Sequence, residues 1–175
     1  MSEDAATLED PAGVFLALYD DAMPQVYGYL LARCGGRTAA EDLTAETFLA
    51  AVAAVRGGGA CPVSIPWLIG VARHKLVDHW RREGREDRRH RTLTDQVALA
   101  VDPWDAEIDA VAARQTLGRL ASQHRAALTL RYVDDLPVPE VAALLGRSVH
   151  ATEALLVRAR AMFRRAYDGP ERSDG

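Results

Sequence analysis

The sequence predicts an all-α protein of two small helical domains joined by a flexible linker, the C-terminal domain containing a helix-turn-helix. Three observations predict it. Alanine is frequent and aromatics make up only 6% of a chain that is 49% apolar and 26% charged, an ordinary soluble composition with strong helix propensity. Apolar residues recur at helical spacing through 11–83 and again through 104–167, with no alternating β-branched run. Between them, over 84–103, the periodicity fails and REDRRHRTLTDQVALAVDP mixes charge with a little Leu and Val, the composition of a solvated, extendable linker. A length of 175 residues suits one medium domain or two small ones.

An acidic lead over 1–10 precedes a helix near 11–22 with Phe15, Leu18 and Tyr19 on its inner side. Pro24 suits the first turn of a second helix, which runs through Val26, Tyr27, Leu30 and Leu31 to Cys34 and ends at Gly35 and Gly36. Thr38 and Glu41 form the T-x-x-E of a capping box, opening a helix that carries Leu43, Phe48, Val52 and Val55. Three consecutive glycines and a proline make RGGGACPVSI, 56–65, a loop. From Pro66 to Glu83 an amphipathic helix sets Leu68, Ile69, Ala72, Leu76 and Trp80 on one stripe and His74, Lys75, Asp78, Arg81 and Arg82 opposite; Gly84 is its expected stop. Asp102 and Pro103 read as an N-cap and a first-turn proline, followed by helices near 104–118 and 123–133. The last two, Pro139–Leu145 and Val149–Tyr167, are separated only by Gly146, Arg147 and Ser148.

The formal net charge of -4 is unevenly spread. Residues 1–21 hold Glu3, Asp4, Glu9, Asp10, Asp20 and Asp21 without a cation, whereas 73–91 hold Arg73, Lys75, Arg81, Arg82, Arg85, Arg88, Arg89 and Arg91 against four acids. That basic stretch suits a polyanion despite the acidic sum. Cys34 and Cys61 lack a C-x-x-C partner, as expected of unpaired thiols in a reducing compartment. No apolar run approaches the roughly 18 residues of a membrane span and the N-terminus is acidic, so a cytoplasmic protein without membrane insertion is expected.

A short apolar helix, a three-residue turn with glycine and a long basic helix describe a helix-turn-helix. In that unit the N-terminal residues of the second helix, here Val149, His150, Thr152 and Glu153, lie near base edges, while Arg147, Arg158, Arg160, Arg164 and Arg165 reach phosphates. No nucleophile with a nearby base and no phosphate-binding glycine motif is present, so no catalysis and no cofactor are expected. His74, Asp78 and His79 make a poor metal set, because His79 lies about 100° round the helix from Asp78 and no fourth ligand is evident.

These residues together resemble an extracytoplasmic-function (group IV) sigma factor of the sigma-70 family, the subunit that directs bacterial RNA polymerase to promoters. AEDLTAETFLAAV, 40–52, resembles the stretch that docks on the polymerase clamp helices. PWLIGVARHKLVDHWRR, 66–82, resembles the helix that opens and reads the minus-ten element, and RYVDDLPVPEVAALLGRSVHATEALLVRARAMFRR, 131–165, the helix-turn-helix that reads the minus-thirty-five element. The resemblance implies that Glu41, Asp42, Glu46, Thr47 and Phe48 contact polymerase. It places Arg73, His74, Lys75, Arg81 and Arg82 on single-stranded promoter DNA, beside a base-capturing loop at 56–65, with Trp67 packing the domain. Arg147, Ser148, His150, Thr152, Glu153, Arg158 and Arg160 would engage the duplex. An anti-sigma partner is the family's common means of holding such a chain inactive.

Two departures accompany the resemblance. Where many members read approximately T-V-K-S-R, this chain has Ala151-Thr152-Glu153-Ala154-Leu155, losing two basic positions and gaining an acid, a departure at the positions on which the family's minus-thirty-five specificity depends. Pro137 and Pro139 replace the usual polar cap of the preceding helix. Two other readings fit the residues alone: a helix-turn-helix regulator that acts without polymerase, and a helical hairpin that binds only protein.

Overall fold

The computed structural model describes residues 11–57, 63–90 and 109–169. Seven α-helices, one π-helical turn and no strand occur among the described residues. The chain divides into two compact units with the boundary at Leu76 and Val77.

The first unit comprises α1 (Pro11–Cys34), α2 (Arg37–Arg56) and the opening turns of α3 (Ile65–His90). Contrary to expectation, α1 is one helix with Pro24 inside it. Ala22, Val26, Leu30 and Cys34 are all buried at four-residue intervals, a stripe that runs through the proline and outweighs its lost hydrogen bond. The side chain of Gln25 donates to the Asp21 carbonyl at 3.0 Å beside the interruption. Gly35, at φ 75°, ends the helix as its position suggested.

The capping box at Thr38 and Glu41 does not form. The N-cap of α2 is Gly36, in extended conformation, and the helix begins one residue before Thr38. Ala40 N–H donates to Gly36 O at 3.1 Å, and Glu41 instead accepts from Arg37 Nε at 3.1 Å. Leu43, Thr44, Thr47, Phe48 and Ala51 face inward. Most of the expected loop at 56–65, with Cys61, lies outside the described residues. At its end α3 starts one residue earlier than the proline suggested, because Ser64 caps it: Leu68 N–H reaches Ser64 O at 2.9 Å, and Trp67 N–H lies 3.4 Å from Ser64 Oγ. Leu68, Ala72 and Leu76 are fully buried, and Trp67 and Ile69 partly so.

The second unit takes the remainder of α3 with α4 (Ala110–Arg119), α5 (Ser122–Leu128), the π-turn Thr129–Val133, α6 (Val138–Leu145) and α7 (Val149–Tyr167). Gly84 does not stop α3, which continues to His90 and so takes in the first residues of the expected linker. A Cβ at Gly84 would lie 2.6 Å from Ser122 Oγ, so this glycine answers a close approach instead of a helix end. The rest of the expected linker, with the Asp102-Pro103 start signal, lies outside the described residues. The first described helix beyond it, α4, is capped by Asp109, whose carboxylate accepts from Val111 N and Ala112 N at 2.7 and 3.0 Å.

Leu120, Ala127, Leu128, Leu155, Leu156, Ala159 and Phe163 form the core of this unit. The hydroxyl of Tyr167, on a ring stacked 5.6 Å from Phe163, accepts from Asp109 N–H at 3.1 Å and ties the start of α4 to the end of α7. Between α6 and α7, Gly146 adopts φ 63° and the chain makes a complete Schellman closure. Gly146 N–H bonds Ala143 O at 3.2 Å and Arg147 N–H bonds Ala142 O at 2.9 Å, after which Ser148 caps α7 by accepting from Ala151 N at 3.2 Å. The glycine turn separates the last two helices as expected, but α6 starts one residue before Pro139, at Val138, with Pro137 in the N-cap position making no side-chain cap.

Two glycines should respond in opposite senses to alanine. Gly28 is an exposed helical residue with open space around its Cα, so Gly28→Ala is expected to stabilise by about 0.5–1 kcal/mol. Gly146→Ala forces a side chain into the left-handed region and against Arg81 Nη2 at 3.2 Å, and should destabilise by roughly 1–2 kcal/mol. Thermal denaturation of both variants checks the pair.

Candidate nucleic-acid and protein interfaces

On α2 the expected polymerase set divides between surface and core. Glu41 and Asp42 are exposed and Glu46 is half-buried, whereas Thr47 is fully buried and Phe48 nearly so. Thr47 donates to Leu43 O at 2.7 Å and Phe48 packs edge-on against Tyr19, ring centres 4.9 Å apart. Both belong to the core, which corrects their assignment as contact residues: they support the outer face and are not part of it. Leu49, missed in the sequence, is on that face and 69% exposed. Its signal was present, since it is the large apolar residue of α2 that falls off the inward stripe, seven positions after Asp42.

Along the outer side of α3, His74 is exposed, Arg73 partly buried and Arg82 exposed. Not all the neighbouring cations stand open. Lys75 Nζ lies 3.5 Å from Glu46 Oε2, so one residue of the expected DNA set is paired with one of the expected polymerase set. Arg81 Nη1 donates to Asp78 at 3.2 Å and its Nη2 to the Leu144 carbonyl. Exposed pairs of this kind are worth up to about 1 kcal/mol, so a phosphate can displace them at small cost. His79 Nε2 lies 3.3 Å from Glu83, which also accepts from Arg125. Among the described residues no three His, Cys, Asp or Glu side chains gather as a cation site.

The third surface is the start of α7. Arg147, Ser148, Val149, His150, Glu153, Ala154 and Arg158 are exposed there, and Arg160 is half-buried with its Nη1 3.2 Å from Tyr132 Oη. Thr152 does not belong with them. It is fully buried, and its hydroxyl donates to Ser148 O at 2.9 Å. Bonded to the carbonyl four residues back, it belongs to the core side of α7, which corrects its assignment as a contact residue. Ser148 is exposed, but its Oγ is committed to capping α7.

The exposed Arg147 and Arg158 stand just before and midway along α7, a long helix that follows a tight turn, the arrangement in which a helix-turn-helix offers its second helix to a major groove and its cations to phosphates. Thr152→Val, which keeps shape and burial, should leave duplex affinity within about twofold. Arg147→Ala or Arg158→Ala should weaken binding to all sequences alike and lower the salt slope by about one, read from binding isotherms at several salt concentrations.

Residues 18–86 match the family described as Sigma-70 region 2, and residues 110–163 match Sigma-70, region 4. The chain is 31% identical over 159 residues to the ECF RNA polymerase sigma factor BldN of Streptomyces coelicolor, covering 85% of this chain and 58% of BldN. It therefore spans little more than half the length of that relative. Over 144 residues it is 30% identical to the ECF RNA polymerase sigma factor SigL of Mycobacterium tuberculosis, covering 77% of this chain and 78% of SigL. In three dimensions it is similar to the sigma factor RpoE, solved in a co-crystal with the anti-sigma factor NepR from Bartonella quintana. The TM-score is 0.54 at 19% identity, over 90% of this chain and 99% of that one, a likeness of fold.

Proposed function

We propose that this chain, which belongs to the extracytoplasmic-function sigma factors of the sigma-70 family, binds core RNA polymerase and directs promoter recognition and strand opening. One observation carries the proposal: region 2 falls on α1–α3 and region 4 on α4–α7, in order, each presenting a solvent-facing array of charged side chains. In this reading Glu41, Asp42 and Glu46, with Leu49 beside them, meet the polymerase clamp helices. An acidic and apolar face suits a protein partner and repels DNA.

His74 and Arg82, with Arg73, Lys75 and Arg81 close by, take the single strand of the minus-ten element. Extruding a base costs a few kcal/mol, which contacts to the unpaired strand offset. Arg147, Ser148, His150, Glu153, Arg158 and Arg160 take the minus-thirty-five duplex. The functional domains are taken as 11–83 and 104–167 with 84–103 as linker. The protein acts by binding, polymerase performs the chemistry, and it works in the cytoplasm; no described helix is long and apolar enough to cross a membrane. Exposed basic and apolar surfaces on the free chain invite sequestration by an anti-sigma partner, the kind of protein with which RpoE was solved.

Run-off transcription from a promoter library with purified core polymerase tests the proposal. Transcripts should depend on the chain, and reversing charge at Asp42 and Glu46 should abolish core capture. His74→Ala should lower open-complex formation severalfold with core binding intact. If duplex binding persists while transcription is indifferent to the chain, the protein is a helix-turn-helix regulator independent of polymerase.

A further inference from the structure

We propose that Glu153 is a specificity-determining residue, selecting cytosine at one position of the duplex element that α7 enters. The inference rests on the reading of α6 and α7 as a duplex-binding unit. It starts from which side chains the fold leaves available near the front of α7. With Thr152 buried and Ala151 half-buried, the exposed residues of 149–154 are Val149, His150, Glu153 and Ala154. Only His150 and Glu153 among them carry polar side chains, and only Glu153 is an acid.

Its carboxylate has no ion pair or hydrogen bond among the described residues, although α7 is rich in arginine. The nearby guanidinium groups are directed to other acceptors. Arg158 Nε donates to Ala154 O at 3.3 Å, Arg160 Nη1 to Tyr132 Oη at 3.2 Å, and Arg147 Nη2 to Gln123 Oε1 at 3.4 Å. An uncompensated carboxylate in a groove walled by phosphates is repelled unless it finds a donor, and in the major groove donors are few. Guanine presents N7 and O6 and thymine O4, all acceptors; adenine's amino group lies beside the N7 acceptor. Cytosine alone presents its N4 amino group without an acceptor on the same base edge. A carboxylate is therefore repelled by guanine and thymine and prefers cytosine to adenine, whose N7 acceptor stands beside its donor.

The test is enrichment of randomised duplexes by the full chain, alone and assembled with core RNA polymerase, for wild type, Glu153→Ala and Glu153→Gln. Wild type should enrich cytosine at one position. Glu153→Ala should flatten that position, losing roughly 5- to 150-fold of discrimination, with other positions unchanged. Glu153→Gln should move the preference toward adenine, whose N6 and N7 match an amide. If both variants keep the wild-type preference at every position, Glu153 is a solvated acid and the inference is wrong while duplex binding stands. If wild type enriches no sequence in either form, the duplex-binding reading fails and takes the inference with it.

Discussion

Ala22, Val26, Leu30 and Cys34 on α1, Ala40, Leu43, Thr47 and Ala51 on α2, and Leu68, Ala72, Leu76 and Trp80 on α3 are buried at three- to four-residue intervals. Keeping these narrow stripes out of water governs where each helix can begin, bend and end. With few aromatic side chains and many alanines, each helix has little apolar surface to spare, and a fully buried Leu or Val contributes only about 1.5–3 kcal/mol. The stripe therefore has to be kept intact. Pro24 is tolerated inside α1 because breaking the helix there would separate Ala22 from Val26.

The same constraint divides polar residues that look equivalent in the sequence. Thr47 and Glu46 are neighbours, yet one donates inward to Leu43 O and the other reaches out to Lys75. Thr152 and Glu153 repeat the division on α7. On both helices the threonine hydroxyl is satisfied by the carbonyl four residues back, which lets a small polar side chain enter the core without an unpaired group. The acids next to them are left to solvent and to partners. Charge is likewise arranged locally: several cations of the proposed DNA faces rest against acids or carbonyls in weak, exposed contacts that a phosphate can replace.

Much of this was legible because it is local. The Gly146 turn, Ser148 as cap and the span of α7 follow from neighbouring residues, since a left-handed glycine and a hydroxyl cap act over four or five positions. The illegible parts depend on residues distant in sequence or on a competing neighbour. Gly84 looked like a stop, but its missing side chain answers the approach of Ser122. Thr38 had capping-box spacing, but α2 already began at Arg37, where extended Gly36 let the chain enter the helix. Thr47, Phe48 and Thr152 were placed outward because motif spacing says which residue types are present and leaves their depth open.

The helical class, the order of the two sigma-70 regions and the chemistry available to each are written in the chain, because periodicity, turn residues and charge are properties of short stretches. Tertiary structure alone decided which members of each set meet solvent. It withdrew Thr47, Phe48 and Thr152, added Leu49, paired Lys75 with Glu46 and left Glu153 without a partner among the described residues. The physical reason is that a helix turns 100° per residue, so a small change in which stripe the core claims moves a neighbouring side chain from the surface to the interior.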